Sequence, residues 1–243
     1  MNLKDIIKDL PAGAAVLDVG CCGFNIVRMA REVGRNDLRH FGVDYCEPKE
    51  IPAGFTFRKA DLSKEAIPYS SDEFDLVIAN HVIEHITIPI EFFGDCLRVC
   101  KCDGLFYLSC PSERALFLPG FMFKRDNFNS TSFFDDPTHL GRPFSPQSLW
   151  RLARYYDAVP LKTGYYVSWL FRLVWPILLP LAWILRISWL FESVVCGCVG
   201  WASYILVRKR TAGKPQFDYF YSGARYDDWL GRTVKRWKKH LRL

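Results

Sequence analysis

The stretch Ala14-Ala15-Val16-Leu17-Asp18-Val19-Gly20-Cys21-Cys22-Gly23-Phe24 decides the fold. Its apolar run closes on Asp18 and then on a small-residue turn from Gly20 to Gly23. Asn25 to Val33 follows, with polar and apolar residues alternating at helical spacing. Strand, glycine turn and helix in that order hold nucleotide-like ligands at the carboxyl edge of a parallel sheet. Glycine lets the backbone approach the ligand, and the helix amino terminus offers unpaired N–H groups.

Outward from that turn the pattern repeats. Lys4 to Leu10 reads as a short helix ahead of the first strand. Leu38 to Asp44 predicts a second strand closing on an acid, placed where such folds grip a ribose diol. Phe55 to Leu62 predicts a third, with Asp61 at its end, and Glu73 to Asn80 a fourth, the most apolar. A helix is expected from Ile90 to Cys100 and a fifth strand from Gly104 to Cys110. Asp18, Asp44, Asp61 and Asn80 thus fall in register along one edge of a parallel sheet.

Val16-Leu17-Asp18-Val19-Gly20-Cys21, Gly42-Val43-Asp44, Ala60-Asp61-Leu62 and Glu73-Phe74-Asp75-Leu76-Val77 with Val82-Ile83-Glu84-His85-Ile86 form an ordered set. That set resembles the class I S-adenosylmethionine-dependent methyltransferases over residues 14–160, and its last part resembles quinone-biosynthesis members. The resemblance implies an α/β, Rossmann-like fold with a seven-stranded, mostly parallel sheet whose last strand is antiparallel. It implies S-adenosyl-L-methionine as cofactor, with Asp18 and Gly20 beside its methionine part. Asp44 would take the ribose hydroxyls, Asp61 and Leu62 the adenine, and Asn80 with His81 the surroundings of the sulfonium. The chain departs from the family at its turn, where Cys22 and Phe24 stand in place of the second and third glycines.

Pro111 to Pro143 reads as a long irregular segment, of the kind that carries function when it interrupts a compact domain. It ends in Asp136-Pro137-Thr138-His139-Leu140-Gly141-Arg142-Pro143-Phe144, before a helix with Ser145 as its N-cap and Pro146 at its first position. A similar Pro-Thr-His run resembles members associated with bacterial surface-glycan biosynthesis. Methyl transfer to a hydroxyl needs an in-line approach and a base, and His139 is the first candidate, with His81 and His85 behind it. His139 reads equally well as a structural strut at the helix entry.

Trp169 to Gly200 is predicted to be an apolar insertion between strands six (Ala158 to Tyr166) and seven (Trp201 to Val207). Pro176 and Pro180 interrupt its first half, and Trp169, Trp175, Trp183 and Trp189 recur at near-helical intervals with Arg172 and Arg186 at the flanks. An interfacial helical hairpin fits that pattern better than extra core or a full span. From residue 208 onward there are 11 Lys/Arg against 3 Asp/Glu, leaving 21 against 23 in the rest of the chain. Residues 226–243 read as a basic amphipathic helix, carrying Leu230, Val234, Trp237 and Leu241 on one face.

The domain reading is therefore a methyltransferase domain over 1–168 and 201–225, a membrane-associating insertion over 169–200 and a basic helix over 226–243. Anionic lipid is the expected surface, since no nucleic-acid-binding motif accompanies the basic residues. The first residues lack the apolar stretch of a secretory signal and the nine cysteines fit a reducing compartment, which together suggest the cytoplasmic face of a membrane. The Cys100/Cys102 and Cys196/Cys198 pairs lack finger-like partners, so no metal is expected. The expected activity is methylation of a hydroxyl on a membrane-anchored glycan or glycolipid. A quinone or isoprenoid ring acceptor, or a non-catalytic membrane-bound scaffold keeping the fold, are the alternatives.

Overall fold

The structure, a computed structural model, describes residues 2–21, 23–118, 121–124, 127–129 and 131–210. Cys22 and the basic segment 226–243 lie outside the described residues, as do 211–225 of the expected methyltransferase domain. The elements in order are α1 (Leu3–Lys8), β1 (Ala15–Val19), α2 (Asn25–Glu32), β2 (Arg39–Asp44), β3 (Phe55–Lys59), β4 (Phe74–Asn80) and α3 (Pro89–Val99). They continue with β5 (Cys100–Pro111), β6 (Phe121–Lys124), β7 (Asn127–Asn129), α4 (Pro146–Tyr155), β8 (Val159–Tyr165), α5 (Trp169–Ile184), α6 (Ser188–Val199) and β9 (Ala202–Arg208).

Seven strands form one sheet in the order β3-β2-β1-β4-β5-β9-β8, with β9 antiparallel to both neighbours, and β6 pairs with β7 in a separate ribbon. The strand order reverses between β1 and β4, so the connections leaving their carboxyl ends diverge and open a crevice there. Period-two alternation sorts the side chains onto two faces. Ala15, Leu17 and Val19 of β1 pack with Val77, Ala79, Phe106 and the buried sides of α3 and α4. Val16 faces the other way with Leu76, Ile78 and Tyr107, against Ile7 of α1 and Ile26, Val27 and Ala30 of α2. The Ser145 side chain caps α4 by accepting from Ser148 N at 3.1 Å, and Leu149, Leu152, Ala153 and Tyr156 are its buried stripe.

Three local expectations change. β1 runs one residue further than the sequence pattern suggests, so Asp18 lies inside the strand on the Val16 face and not in the loop. β3 ends at Lys59, which leaves Asp61 two residues beyond it. The segment expected to be irregular carries the β6–β7 ribbon and two 3-10 turns, Glu113–Phe117 and Phe133–Asp135.

The insertion folds as two helices, α5 and α6, leaving the carboxyl end of β8 on the same edge as the crevice. α5 runs through Pro176 and Pro180. Trp169, Leu173, Ile177, Trp183, Ile184 and Trp189 remain largely exposed, whereas Ala182, Phe191 and Val194 are buried. Among the described residues no helix is long and apolar enough to cross a membrane.

Candidate active site

Gly20, immediately after β1, is the pivot of the site. Its φ of +77° is a conformation that side chains rarely adopt, and a Cβ there would sit 2.5 Å from Val82 Cγ2. It lines two cavities at the carboxyl edge, one of about 620 Å³ and one of about 250 Å³. Asp44, Tyr45, Asp61, Leu62, His81, Val82 and His85 line the larger, together with Thr138 and Leu140. Asp18, Gly23, Asn25, Asn80, Tyr107 and Tyr166 line the smaller.

The acids differ in state because their surroundings differ. Asp44 closes β2, is 7 % exposed, and its Oδ1 accepts from Cys46 N at 3.0 Å. Asp61 is bound by its own loop: Oδ2 accepts from Lys64 Nζ at 2.7 Å and Oδ1 from Ser63 N at 3.2 Å, and these bonds hold its carboxyl below the usual range. Asp18 is pushed up to about 8, first by burial and then by the like charge of Asp44. Asn80 Oδ1 accepts from Ser109 Oγ, and the hydroxyls of Tyr107 and Tyr166 are bonded to each other.

The Asp18 shift has a stability consequence. The folded chain keeps a proton that the unfolded chain releases, so this group's contribution is full below about pH 4 and is lost as pH rises through about 8. Asp18→Asn is expected to melt higher than the parent at about pH 8.5 and to flatten the decline of melting temperature from about pH 5 upward. Parallel profiles for the two proteins would refute a buried, protonated Asp18.

Of the two departures from the glycine pattern, Phe24 lies among the described residues. Phe24, in the third glycine position, takes the left-handed conformation (φ 44°) and caps α2 without a side-chain hydrogen bond. Its ring packs edge-on against Phe55 at 4.9 Å, a contact that opposes the backbone cost.

The three histidines occupy different places. His81 follows β4 in the left-handed region (φ 57°), and its Nδ1 lies 3.1 Å from Oε1 of the buried Glu84. Its ring stacks on Trp201 at 5.6 Å, and Trp201 Nε1 is fixed by donating to Thr131 O at 2.7 Å. With Nδ1 engaged by Glu84, Nε2 is the ring nitrogen left to face a ligand. His85 also lines the larger cavity, with Nδ1 3.1 Å from Thr138 O. His139, first in rank from the sequence, is not among the lining residues: its side chain is 8 % exposed, Nδ1 is bonded to Phe133 O at 2.6 Å, and the ring stacks on Phe133. Its placement is that of the strut, because the turn Phe133–Asp135 closes over it.

Of the residues expected from the sequence, Asp18, Gly20, Asp44, Asp61, Leu62, Asn80, His81 and His85 come together at one edge, and Cys22 lies outside the described residues. Nothing in the local sequence pattern points to Trp201 or to the Tyr107–Tyr166 pair as part of the site. An indole at the end of an apolar insertion has no local pattern that points to a histidine 120 positions earlier.

Residues 17–108 match the family model described as a methyltransferase domain. Among curated proteins, the ubiquinone biosynthesis O-methyltransferase of Cereibacter sphaeroides is 27 % identical over 115 residues, 44 % of this chain and 45 % of that protein. A probable S-adenosylmethionine-dependent methyltransferase of Mycolicibacterium smegmatis is 30 % identical over 112 residues, 45 % of this chain and 42 % of that protein. The chain thus spans a little under half the length of these relatives. Among solved structures, a SAM-dependent methyltransferase from Archaeoglobus fulgidus superposes with a TM-score of 0.56 at 21 % identity, covering 85 % of this chain and 91 % of that one.

Proposed function

We propose, from a chain that has the class I S-adenosylmethionine-dependent methyltransferase fold and whose residues 17–108 match the methyltransferase domain family, that it transfers a methyl group to a hydroxyl of a lipid-soluble acceptor at a membrane surface. The observation that carries this reading is the pair of cavities meeting at Gly20, with a buried carboxyl group on each side. The residues fit S-adenosylmethionine: the Cβ-free position at Gly20 admits close backbone approach, Asp44 offers acceptors to a diol, and Asp18 with Asn80 offers polar partners to an amino-acid end. Tyr45 and Leu62 flank the same cavity with a ring and an apolar side chain suited to a base. When bound, the cofactor supplies an electrophilic methyl group on its sulfonium.

What the chain itself contributes is position and a proton acceptor. His81, oriented by Glu84 and backed by Trp201, stands in the larger cavity where a hydroxyl would lie, and Nε2 takes its proton as transfer proceeds. Holding both partners near attack distance supplies up to about 7–11 kcal/mol of the barrier. Leu140, Val82 and Ile86 give that cavity an apolar wall, which favours a ring over a sugar. The quinone-biosynthesis relatives support the same choice, and nothing among the comparisons supports a glycan acceptor.

The experiment is calorimetric titration with S-adenosylhomocysteine, followed by transfer of labelled methyl from S-adenosylmethionine to detergent-dispersed prenylated phenols. Binding and a product heavier by one methyl group are expected. A folded chain that binds no S-adenosylhomocysteine would remove the reading, and transfer only to a lipid-linked sugar would replace the acceptor.

The membrane part of the proposal rests on the exposed tryptophans and aliphatic side chains that α5 and α6 present together. The two helices extend from the edge that carries the site, so a lipid-borne acceptor would have a short path to it. The full chain is expected to float with vesicles of phosphatidylcholine and phosphatidylglycerol. Trp175→Ser with Trp183→Ser is expected to weaken that association by about tenfold or more, because each indole carries much of the buried apolar area. Equal flotation of parent and double variant would dismiss the hairpin as the anchor.

A further inference from the structure

The wall between the larger cavity and the loop after β5 holds three side chains that the methyl-transfer reading leaves partly unused. Glu84 is 1 % exposed; its Oε1 is occupied by His81, while Oε2 is buried without a hydrogen-bond partner. A buried carboxylate oxygen left unpaired is costly, and something of positive charge would satisfy it. Glu84, His85 and His139 each present one donor atom, and the three atoms lie within 4.8 Å of one another. Three of the five histidines of the chain therefore gather on this one carboxylate.

The hydrogen bonds of the two rings select which nitrogens remain. His139 Nδ1 is bonded to Phe133 O at 2.6 Å, and His85 Nδ1 to Thr138 O at 3.1 Å. A ring that donates Nδ1–H to a carbonyl keeps the Nε2 lone pair, and this backbone-anchored tautomer is the usual support of a metal-binding histidine. Asp136 Oδ2 lies 3.8 Å from His139 Nε2, with its Oδ1 held by Thr138 N at 2.8 Å and Thr138 Oγ1 at 2.6 Å.

We infer that Glu84 Oε2, His85 Nε2 and His139 Nε2 form a binding site for one divalent transition-metal ion of the zinc class. Two imidazoles and one carboxylate select such an ion over magnesium or calcium, which take oxygen ligands. Donors on a four-coordinate zinc stand about 3.3 Å apart, so binding requires the present spacing to contract by rotamer adjustment within the cluster. The ion would join the turn after β4 to the loop after β5, which are already linked by Gly141 N donating to Glu84 O at 3.0 Å. His85 also lines the larger cavity. The inference rests on this geometry alone and stands independently of methyl transfer.

The test uses the full chain without an affinity tag, stripped with chelator and desalted. Zinc is added, excess removed, and retained metal measured by elemental mass spectrometry, with magnesium as competitor. One zinc per chain is expected, undisturbed by magnesium, with Glu84→Gln and His139→Ala each weakening the affinity by about 100-fold or more. No zinc retained by chain that is folded by circular dichroism would overturn the site, as would retention by the His85→Ala/His139→Ala variant equal to the parent's. Cobalt substitution in the unaltered chain keeps the inference testable if the variants fold poorly. Visible bands without thiolate charge transfer support it, and a thiolate band would assign the ion to cysteines instead. S-adenosylhomocysteine titration of the same stripped chain separates failure of this site from failure of the cofactor reading.

Discussion

Replacing Asp44 by alanine is expected to abolish S-adenosylhomocysteine binding, with at least a ~100-fold loss of affinity while the chain stays folded. A carboxylate that accepts from both hydroxyls of a ribose contributes two charge-assisted hydrogen bonds, and losing about 3 kcal/mol is about two powers of ten in affinity. Asp44 closes a strand at the larger cavity, so no other side chain replaces it in place. The substitution also removes the like charge that helps raise Asp18, which eases one electrostatic conflict in the fold. It also removes the acceptor of Cys46 N, so melting temperature at neutral pH should stay near the parent's, and the melt separates a binding loss from unfolding. Asp44→Asn, which keeps one acceptor, should fall between the two. Calorimetry beside a thermal melt decides the matter: parent-like affinity in Asp44→Ala would exclude the diol role.

Gly20→Ala carries the second large effect. The backbone there has a φ of +77°, which costs an alanine roughly 1–2 kcal/mol, and the new Cβ meets Val82 Cγ2 at 2.5 Å. Val82 has to move, and it is itself part of the cavity wall. The expected result is a chain destabilised by about 1–3 kcal/mol in urea denaturation with ligand affinity reduced by ~30-fold or more. Combining it with Val82→Ala removes the clash but not the backbone cost, so the double variant should recover part of the affinity and only part of the stability. A single variant that binds like the parent would mean that the ligand does not cross the turn at Gly20.

The succession of strands along the chain and the row of acids are legible in the sequence because both are written in local periodicity. An apolar run of five to seven residues closing on a polar one marks a buried strand and its carboxyl end, and β1, β2, β4 and β5 all fall within a few residues of that pattern. Boundaries were less legible. Asp18 read as the end of a strand because polarity usually stops one, yet β1 continues to Val19 and seals the carboxyl group on the sheet face that packs against α1 and α2. The helical hairpin is legible from its recurring tryptophans and sparse charge, although α5 runs through both prolines that interrupt the apolar pattern.

Alternation and helical spacing along adjacent residues are enough to place the first strands, the glycine turn and the acids that face it, whereas the seven-stranded class I sheet with its antiparallel last strand follows from the resemblance of the ordered motifs to a family. Which histidines face the cavity, His81 and His85 and not His139, is set by tertiary packing. His81 and Glu84 are three residues apart, but Trp201 reaches them from the far end of the insertion, and His139 is turned away by the short turn Phe133–Asp135. The gathering of Glu84, His85 and His139 joins two loops separated by more than fifty residues. Local periodicity fixes which face of an element a side chain takes. Which loops meet above the sheet depends on how strands cross and how connections pack, and that information is spread over the whole chain.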